Sequence, residues 1–356
     1  MSQPNADPKL KPPPDIDCTK SFKLTSADNR PEQYHQFEVD SARAIQAALA
    51  AKRPLLVRGK PGVGKTQLAE AAAKALKRPL VRRVVDSRTE ARDLLWEFDA
   101  VMRLAEAQIT AALATVLDSE NKPERSASGD ISLDSRRMSR RLLKRLSVRR
   151  FLQPGPLWWA FDWSSAHRQA RISGSPVPEL EEEADPANGC VVLIDEIDKA
   201  DTDVPNGLLE ALGSGEFTPL GSKKAVKVTG EPPLVIITTN EERVLPNAFV
   251  RRCLVLWLKL PDDDDKLIAF LKARARIHFP EHAKSGKHEG LFHAAAVMLV
   301  RDRAVARQQL VEPWPGQAEY LDLLRAVLHI EPDTVENHVA ILESVAQFAL
   351  RKYETS

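Results

Sequence analysis

The 356-residue sequence lacks the features that mark several classes of protein. It has three cysteines, Cys18, Cys190 and Cys253, whose wide spacing excludes a disulfide framework and a cysteine metal motif. No run of eighteen apolar residues occurs, so no membrane-spanning helix is predicted. Lys and Arg number 51 against 50 Asp and Glu, which leaves no overall charge to attract nucleic acid or a membrane. These absences favour a protein of the reducing cytoplasm that binds any charged partner through a local patch.

The order of predicted elements divides the chain into three parts. Residues 1–30 are polar and rich in proline, with no apolar core of a signal peptide, and we expect a disordered tail. Strands and helices then alternate over 31–260, interrupted near 115–150 and 165–188 by polar stretches that we interpret as insertions. Helical segments alone follow, at 266–275, 290–301, 318–329 and 335–353. The pattern predicts an α/β domain and then a small all-α lid over 261–356.

The segment Gly59–Thr66 reads GKPGVGKT and matches the G-x-x-x-x-G-K-[ST] phosphate-binding pattern. An apolar strand precedes it and helix-forming residues follow it, a setting that a Gly-rich turn without function does not explain. The glycines let consecutive N–H groups point at phosphate oxygens, Lys65 adds a positive charge, and the Thr66 hydroxyl suits Mg²⁺. The candidate nucleotide-binding residues are Gly59, Pro61, Gly62, Val63, Gly64, Lys65, Thr66, Gln67 and Asp195.

Polar side chains follow two apolar strands farther along the chain. The strand at 191–194 ends in Asp195 and Glu196, and the strand at 234–237 ends in a Thr-Thr pair and Asn240. Ligands of open α/β sheets bind at the carboxyl ends of the strands. Asp195 is therefore the predicted Mg²⁺ ligand with Thr66, and Glu196 the general base that polarises an attacking water. Asn240 is predicted to position that water beside the terminal phosphate, the alternative being a strand-end cap.

Two adjacent arginines, Arg251 and Arg252, follow these strands. A guanidinium supplied by a neighbouring subunit accelerates phosphoryl transfer by orders of magnitude, so either arginine is a candidate catalytic residue. The alternative is a pair of structural ion pairs, and the spacing alone does not decide between them.

Three further segments have no single interpretation from their residues. Residues 136–150 alternate arginine and lysine with leucine, which predicts a basic amphipathic helix for nucleic acid or an acidic partner, or a solvated or subunit-facing helix. Residues 151–163 carry five aromatic rings, in a hairpin, a contact surface or the core. Residues 93–113 are predicted as one long amphipathic helix.

The four motifs at 59–66, 191–196, 234–240 and 245–252 together resemble those of AAA+ ATPases, and within them the MoxR-like family. Gly155-Pro156-Leu157 and the Leu-Leu-Glu-Ala-Leu run at 208–212 are similar to pieces of that family. The resemblance implies a P-loop NTPase αβα sandwich with a parallel five-stranded sheet, and a small all-α lid.

The same resemblance implies Mg²⁺-dependent ATP hydrolysis in a ring, usually a hexamer, that remodels a protein client in a chaperone-like way. A von Willebrand factor A-type protein is the partner that the family suggests, and Arg252 aligns best with its arginine finger. The alternative function is a nucleic-acid-associated or defence-system ATPase switch that uses the helix at 136–150. A non-hydrolysing nucleotide-binding scaffold is disfavoured by the Asp195-Glu196 pair.

Two departures from the family pattern stand out. Lys65 and Asp195 lie 130 positions apart, farther than the resemblance leads us to expect, and the two insertions account for the excess. The lid arginine that serves AAA+ proteins as a second sensor should fall near residue 317, where the chain has Gln317. Arg307 and Arg325 are the alternative candidates for this role.

Overall fold

The computed structural model describes residues 12–24, 32–120, 144–310, 312, 314–330 and 337–350, apart from the side chains of 114–120. In chain order the elements are β1 (Ser21–Leu24), β2 (Gln33–Gln36), α1 (Val39–Ala51), β3 (Leu55–Arg58), α2 (Lys65–Leu76), β4 (Leu80–Val84), β5 (Trp96–Phe98), α3 (Ala100–Glu120), β6 (Leu152–Pro154), α4 (Pro156–Phe161), α5 (Trp163–Ser173) and β7 (Val191–Asp195). They continue with α6 (Asp203–Ser214), β8 (Glu216–Phe217), β9 (Val226–Lys227), β10 (Leu234–Thr239), α7 (Asn247–Arg252) and β11 (Leu254–Trp257). The last elements are α8 (Asp264–His278), α9 (Pro280–Lys284), α10 (Glu289–Gln308), α11 (Gln317–Ile330) and α12 (His338–Ala349).

Five strands form one parallel sheet in the order β11-β3-β10-β7-β4. The apolar residues 191–194 of β7 and 234–237 of β10 are all buried, because central strands of a parallel sheet are covered on both faces. The predicted parallel five-stranded sheet is confirmed. Its edge strand β11 has no strong sequence signal, since Val255 and Trp257 are partly exposed and the strand follows α7 without a turn.

Helices cover the two faces of the sheet and give the predicted αβα sandwich. On one face, Leu55 and Leu193 pack with Ile45 of α1 and Leu68 of α2. On the other face, the alternate strand residues pack with helices α4, α6 and α7, through Leu56, Val192, Ile194, Leu157, Leu208 and Phe249. The period-two alternation of a strand thus divides one apolar run between two cores.

Helices α8 to α12 form an all-α region with a hydrophobic core of its own. Buried side chains from each of its long helices meet there, among them Leu271, Phe292, Tyr320 and Leu342. The Tyr320 hydroxyl donates a hydrogen bond of 2.9 Å to the Phe292 carbonyl oxygen and so joins α11 to α10. The predicted helical lid is confirmed as an architecture. None of the described helices combines the length and apolar character needed to cross a bilayer.

The prediction of a disordered tail over residues 1–30 is wrong for residues 12–24. Residues 12–24 are ordered, and β1 pairs antiparallel with β2. Ile16 and Leu24 are buried against the same core as α1 and α2, since two apolar side chains can fix a segment that is otherwise polar. Residues 1–11 and 25–31 lie outside the described part of the chain.

The long helix predicted over 93–113 starts later than its apolar spacing indicates. A 3-10 turn at Ala91–Leu94 and strand β5 precede α3, which runs from Ala100 to Glu120. Strand β5 pairs antiparallel with β6, with Trp96 opposite Pro154 and Phe98 opposite Leu152. This long-range pairing overrides the local helical pattern.

The two predicted insertions differ from what their polarity indicates. The first, near 115–150, begins inside α3, and its residues 121–143, with most of the predicted basic helix 136–150, lie outside the described residues. The prediction of helix fails at its end, because Val148–Phe151 is a 3-10 turn that leads directly into β6. The second, 165–188, begins with the regular helix α5, whose Ala166, Gln169 and Ala170 are buried.

The aromatic residues of 151–163 belong to the core. Phe151, Trp158, Trp159 and Phe161 are buried, and Trp158 and Phe161 lie against Phe217 of β8 at ring-centroid distances of 5.8 and 5.9 Å. The Trp158 indole donates to Ser165 Oγ at 3.1 Å, which satisfies the polar atom of a buried ring. Core packing therefore explains this stretch, and the contact-surface interpretation does not.

Candidate active site

Three adjacent strands bring the predicted site residues to one edge of the sheet. Strand β3 leads into the Gly59–Thr66 loop, its neighbour β10 ends at Thr239 just before Asn240, and the next strand β7 ends at Asp195. In the parallel register, Ile237 lies beside both Leu56 and Ile194. The carboxyl ends of these strands lie together, at the position where such sheets bind ligands.

The phosphate loop has the backbone shape that its glycines permit. Gly62 and Gly64 adopt φ values of +78° and +92°, which side-chain-bearing residues rarely adopt. Helix α2 begins directly at Lys65, so its first N–H groups and the positive end of its dipole face the loop. The loop is therefore a preformed anion site.

Lys65 is buried at the centre of this loop, with 7% of its surface exposed. Its ammonium donates to the carbonyl oxygens of Gly59 at 2.7 Å and Lys60 at 2.9 Å, and to Asn240 Oδ1 at 2.7 Å. Burial lowers the pKa of Lys65, and the nearby carboxylates of Asp195, Asp198 and Glu196 oppose that shift. The ammonium thus lies between the loop and the carboxylates.

Thr66 and Asp195 form an all-oxygen pair suited to Mg²⁺. The Thr66 hydroxyl donates to Asp195 Oδ2 at 3.0 Å, and the Thr238 hydroxyl donates to Asp195 Oδ1. Mg²⁺ prefers hydroxyl, carboxylate and water oxygens, so this donor set fits the ion. Thr238, which sequence reasoning did not single out, fixes the carboxylate orientation.

Glu196 has a strained backbone and a fully engaged carboxylate. Its φ is +60°, a left-handed conformation that costs energy in a residue with a side chain and that is concentrated at functional sites. Its N–H donates to Thr238 Oγ1 at 3.0 Å, which holds this turn in place. The carboxylate accepts from Lys199 at 2.7 Å and from Asn240 Nδ2 at 3.3 Å.

Asn240 is the residue that joins the two halves of the site. Its amide oxygen accepts from Lys65 while its amide nitrogen donates to Glu196, so one side chain contacts both the cation and the carboxylate. The buried Asp198 accepts the Asn240 N–H at 3.3 Å and the Glu242 N–H at 3.0 Å. The Asn240 amide therefore lies between the Lys65 ammonium and the Glu196 carboxylate, and its role in positioning water stays a prediction.

Two cavities lie where the lid meets the phosphate loop. The smaller, of about 150 Å³, is lined by β2, the start of α1, the end of β11 and the lid, including His35, Ser41, Phe270 and Gln317. The larger, of about 340 Å³, is lined by Gly59, Lys60, Pro61, Glu241, Arg303 and Trp314. Val63 of the loop and residues 257–260 line both cavities, so the two are adjacent. A Cβ on Gly62 would lie 3.0 Å from the Ala318 Cβ, which shows how closely the lid approaches the loop.

The lid arginine in this cleft is Arg303, which sequence reasoning missed. It is 9% exposed, it donates to the Pro315 carbonyl oxygen at 2.7 Å, and its Nε has no partner among the described residues. Burial, with the charge of Arg307, lowers the pKa of Arg303. No sequence signal could identify it, because Arg303 is one of several charged residues on α10 and only the fold places it on the wall of the larger cavity.

The two lid arginines proposed from the sequence lie elsewhere. Arg325 pairs with Asp322 one turn away on α11, at 2.7 Å. Arg307 lies over the Trp314 ring at 5.1 Å and does not line either cavity. Gln317, at the expected sensor position, lines the smaller cavity.

Three other predicted residues, Gln67, Arg251 and Arg252, have no hydrogen bond to Lys65, Glu196 or Asn240 within the described residues. The Gln67 amide donates to Gln33 Oε1 of β2 at 2.9 Å and so fastens α2 to the hairpin, while its own Oε1 would lie 3.4 Å from a Cβ on Gly64 of the loop. Arg251 and Arg252, at the end of α7, are exposed, and within the described residues neither guanidinium has a hydrogen-bonding or ionic partner. Both side chains are therefore available to another molecule.

A family model described as AAA domain (dynein-related subfamily) matches residues 54–253. A search among curated proteins gave no match. Among solved structures, the chain is similar to a candidate ATPase from Cytophaga hutchinsonii, at 13% identity and TM-score 0.35 over 87% of this chain and 79% of that one. It is also similar to the RuvB Holliday junction branch migration motor of Thermotoga maritima, at 15% identity and TM-score 0.37 over 86% and 66% of the two chains. A mutant of the same motor gives 15% identity and TM-score 0.40 over 87% and 68%.

Proposed function

The chain belongs to the AAA domain family, dynein-related subfamily, and on this premise we propose that it is a ring-forming ATPase of MoxR-like type that remodels a protein client. The observation that carries the catalytic part is the contact of Asn240 with both Lys65 and Glu196. A phosphate-binding loop alone would serve a kinase or a passive scaffold equally well. An amide held between the loop lysine and a carboxylate is suited to placing a water beside a terminal phosphate.

The proposed roles follow the positions of the groups. The loop N–H groups and Lys65 bind the phosphates of ATP, and the Thr66 hydroxyl and the Asp195 carboxylate hold Mg²⁺. When bound, Mg²⁺ neutralises charge that develops on the phosphate oxygens. Glu196 accepts a proton from the attacking water, and Asn240 orients that water. The smaller cavity, next to the loop at Val63, is the proposed place of the nucleotide base.

The site of one subunit is incomplete without a second copy of the chain. No arginine of the α7 end contacts Lys65, Glu196 or Asn240 among the described residues, while Arg252 and Arg251 point to solvent. We propose that Arg252 is offered to the γ-phosphate bound by the neighbouring subunit, with Arg251 beside it, in a ring that we take to be a hexamer. Exposure of both side chains supports this role over internal ion pairs.

The assignment to the MoxR-like type rests on segments outside the catalytic contacts. Gly155-Pro156-Leu157 starts α4, and a Cβ on Gly155 would lie 2.6 Å from the Asp93 carbonyl oxygen, so this tripeptide needs glycine for packing. We propose that the client is a protein, that a von Willebrand factor A-type protein is its adaptor, and that the complex acts in the cytoplasm. The division into a core at 31–260 and a lid at 261–356 is part of the same proposal.

We expect Lys65→Ala to abolish measurable binding of ATP at micromolar concentrations. Each hydrogen bond to a charged group contributes about 1.5–3 kcal/mol, and the variant removes several at once. Binding of a fluorescent ATP analogue, with Lys223→Ala as an exposed control, measures the loss. Tight binding by Lys65→Ala would remove the phosphate loop from the proposed site.

We expect Arg303→Met to weaken ATP binding or hydrolysis by about 10- to 100-fold, the equivalent of one charge-assisted contact. Methionine keeps the buried volume but loses the cation in the larger cavity. The exposed Arg301→Met on the same helix is the matched control. Wild-type kinetics for Arg303→Met would show that Arg303 does not act on the nucleotide.

A further inference from the structure

Arg53 lies between α1 and β3, and its guanidinium contacts the C-terminal end of α7 and the residue after it. It donates to three successive main-chain carbonyl oxygens, of Arg251, of Arg252 at 3.0 Å and of Cys253 at 3.3 Å. These are the last carbonyl groups of α7 and the residue after it. One side chain therefore binds the peptide units that carry both exposed arginines.

These carbonyl groups have few other means of being held in place. The last carbonyl oxygens of a helix have no intrahelical donor, and α7 has only six residues, Asn247–Arg252. A cationic side chain at a helix C-terminus satisfies such oxygens and interacts favourably with the helix dipole. Next to it, the Leu254 N–H donates to the Pro54 carbonyl oxygen at 2.9 Å. The backbone on both sides of Arg252 is thus tied to Arg53-Pro54.

We propose that Arg53 is a positioning residue for ATP hydrolysis in the adjacent subunit. By holding the carbonyl oxygens at 251–253 it fixes the direction in which the Arg252 side chain leaves α7, and so where its guanidinium arrives across the interface. This inference rests on the proposed role of Arg252. Arg53 contacts neither nucleotide nor Mg²⁺ site, and it acts only through the peptide units of its neighbours.

The position of Arg53 also connects two sites. It is one residue before Pro54 and β3, and β3 ends at the phosphate loop of the same subunit. The strand has four residues, a length of about 13 Å. The loop that binds one nucleotide and the arginine offered to the next nucleotide are therefore attached to opposite ends of one short strand.

The first test is Arg53→Met in the full chain, under conditions in which the wild type is assembled. We expect kcat for ATP to fall by about 10- to 100-fold with KM unchanged, because a displacement of about 1 Å costs up to that factor. Arg53→Lys, which keeps one donor group, should recover part of the rate. Arg43→Met, an exposed residue of α1, is the matched control and should hydrolyse like the wild type. Thermal unfolding of each variant reports any loss of folded protein.

Two further measurements distinguish a structural role of Arg53 from a positioning role. Adding Arg53→Met to Arg252→Ala should cost nothing more, because the arginine to be positioned is gone. Mixing Arg53→Met subunits with Lys65→Ala subunits, which carry an intact Arg53 and Arg252, should raise the rate. Mixing Arg53→Met subunits with Arg252→Ala subunits should not raise the rate.

Each outcome decides the inference. Additive losses in the double variant, or a rate unchanged by Lys65→Ala subunits, would overturn the positioning role of Arg53. A wild-type rate for Arg53→Met, together with a slow rate for Arg252→Ala, would also overturn the positioning role of Arg53. The proposed function would then stand. A wild-type rate for both Arg252→Ala and Arg251→Ala would instead overturn the shared site and with it the role of Arg53.

Discussion

Glu196→Gln is expected to bind ATP as tightly as the wild type and to hydrolyse it about 10²- to 10⁴-fold more slowly. Glutamine has nearly the same shape and still accepts the hydrogen bond from Lys199, but it cannot take a proton from water. The left-handed backbone at Glu196 and the Thr238 contact to its N–H do not depend on the carboxylate. The substitution therefore removes the base and keeps the geometry.

Phosphate release under saturating ATP measures the rate of this variant, and binding of labelled ATP measures its affinity. The matched control is Glu210→Gln on the exposed face of α6, which should hydrolyse like the wild type. Because the variant keeps ATP bound, it should also assemble with ATP present and retain its client in a pull-down. Hydrolysis by Glu196→Gln at the wild-type rate would assign the base to another residue.

Arg252→Ala is expected to slow hydrolysis by about 10³- to 10⁵-fold without loss of ATP affinity. The guanidinium stabilises charge that develops on the transferring phosphoryl group, and this stabilisation is absent from the ground state. Because Arg252 has no hydrogen bond to Lys65 or Asn240 within the described residues of its own chain, we expect the effect to arise at a neighbouring site. Arg251→Ala, one residue away and equally exposed, is the matched control and should have the smaller effect.

Steady-state kinetics of the two arginine variants, at concentrations where the protein is assembled, check this expectation. A loss that appears for Arg251→Ala and not for Arg252→Ala would exchange the two roles. A loss that appears as weaker ATP binding would show that the arginine acts in the ground state.

The sequence predicts the residues of the catalytic cluster because their chemistry is local. A glycine loop between a strand and a helix, and carboxylates after a buried strand, indicate a site before any contact is known. The pattern does not reveal the contact of the Gln67 amide with Gln33, 34 positions away in the chain, and nucleotide binding by Gln67 stays a prediction. The sequence does not indicate Thr238, because its contact partner Asp195 lies on another strand, 43 positions away in the chain.

The parts that the sequence could not predict depend on long-range packing. Strand β5 forms because β6 pairs with it, although the residues around Leu94 have helical spacing. Arg303 lines the larger cavity because α10 and α11 pack in the lid core, and Arg53 reaches 251–253 because β3 and β11 are neighbours. In each case the residue type is ordinary, and its partner is set by the fold.

In the proposed function, one catalytic site is built from two copies of the chain. A mixing experiment tests this shared site most directly. Lys65→Ala subunits cannot bind ATP but keep Arg252, and Arg252→Ala subunits bind ATP but lack the arginine. Each is expected to be inactive alone, and a mixture should regain hydrolysis at every interface that joins an intact loop to an intact arginine. A mixture that assembles and stays as inactive as its components would contradict a shared site.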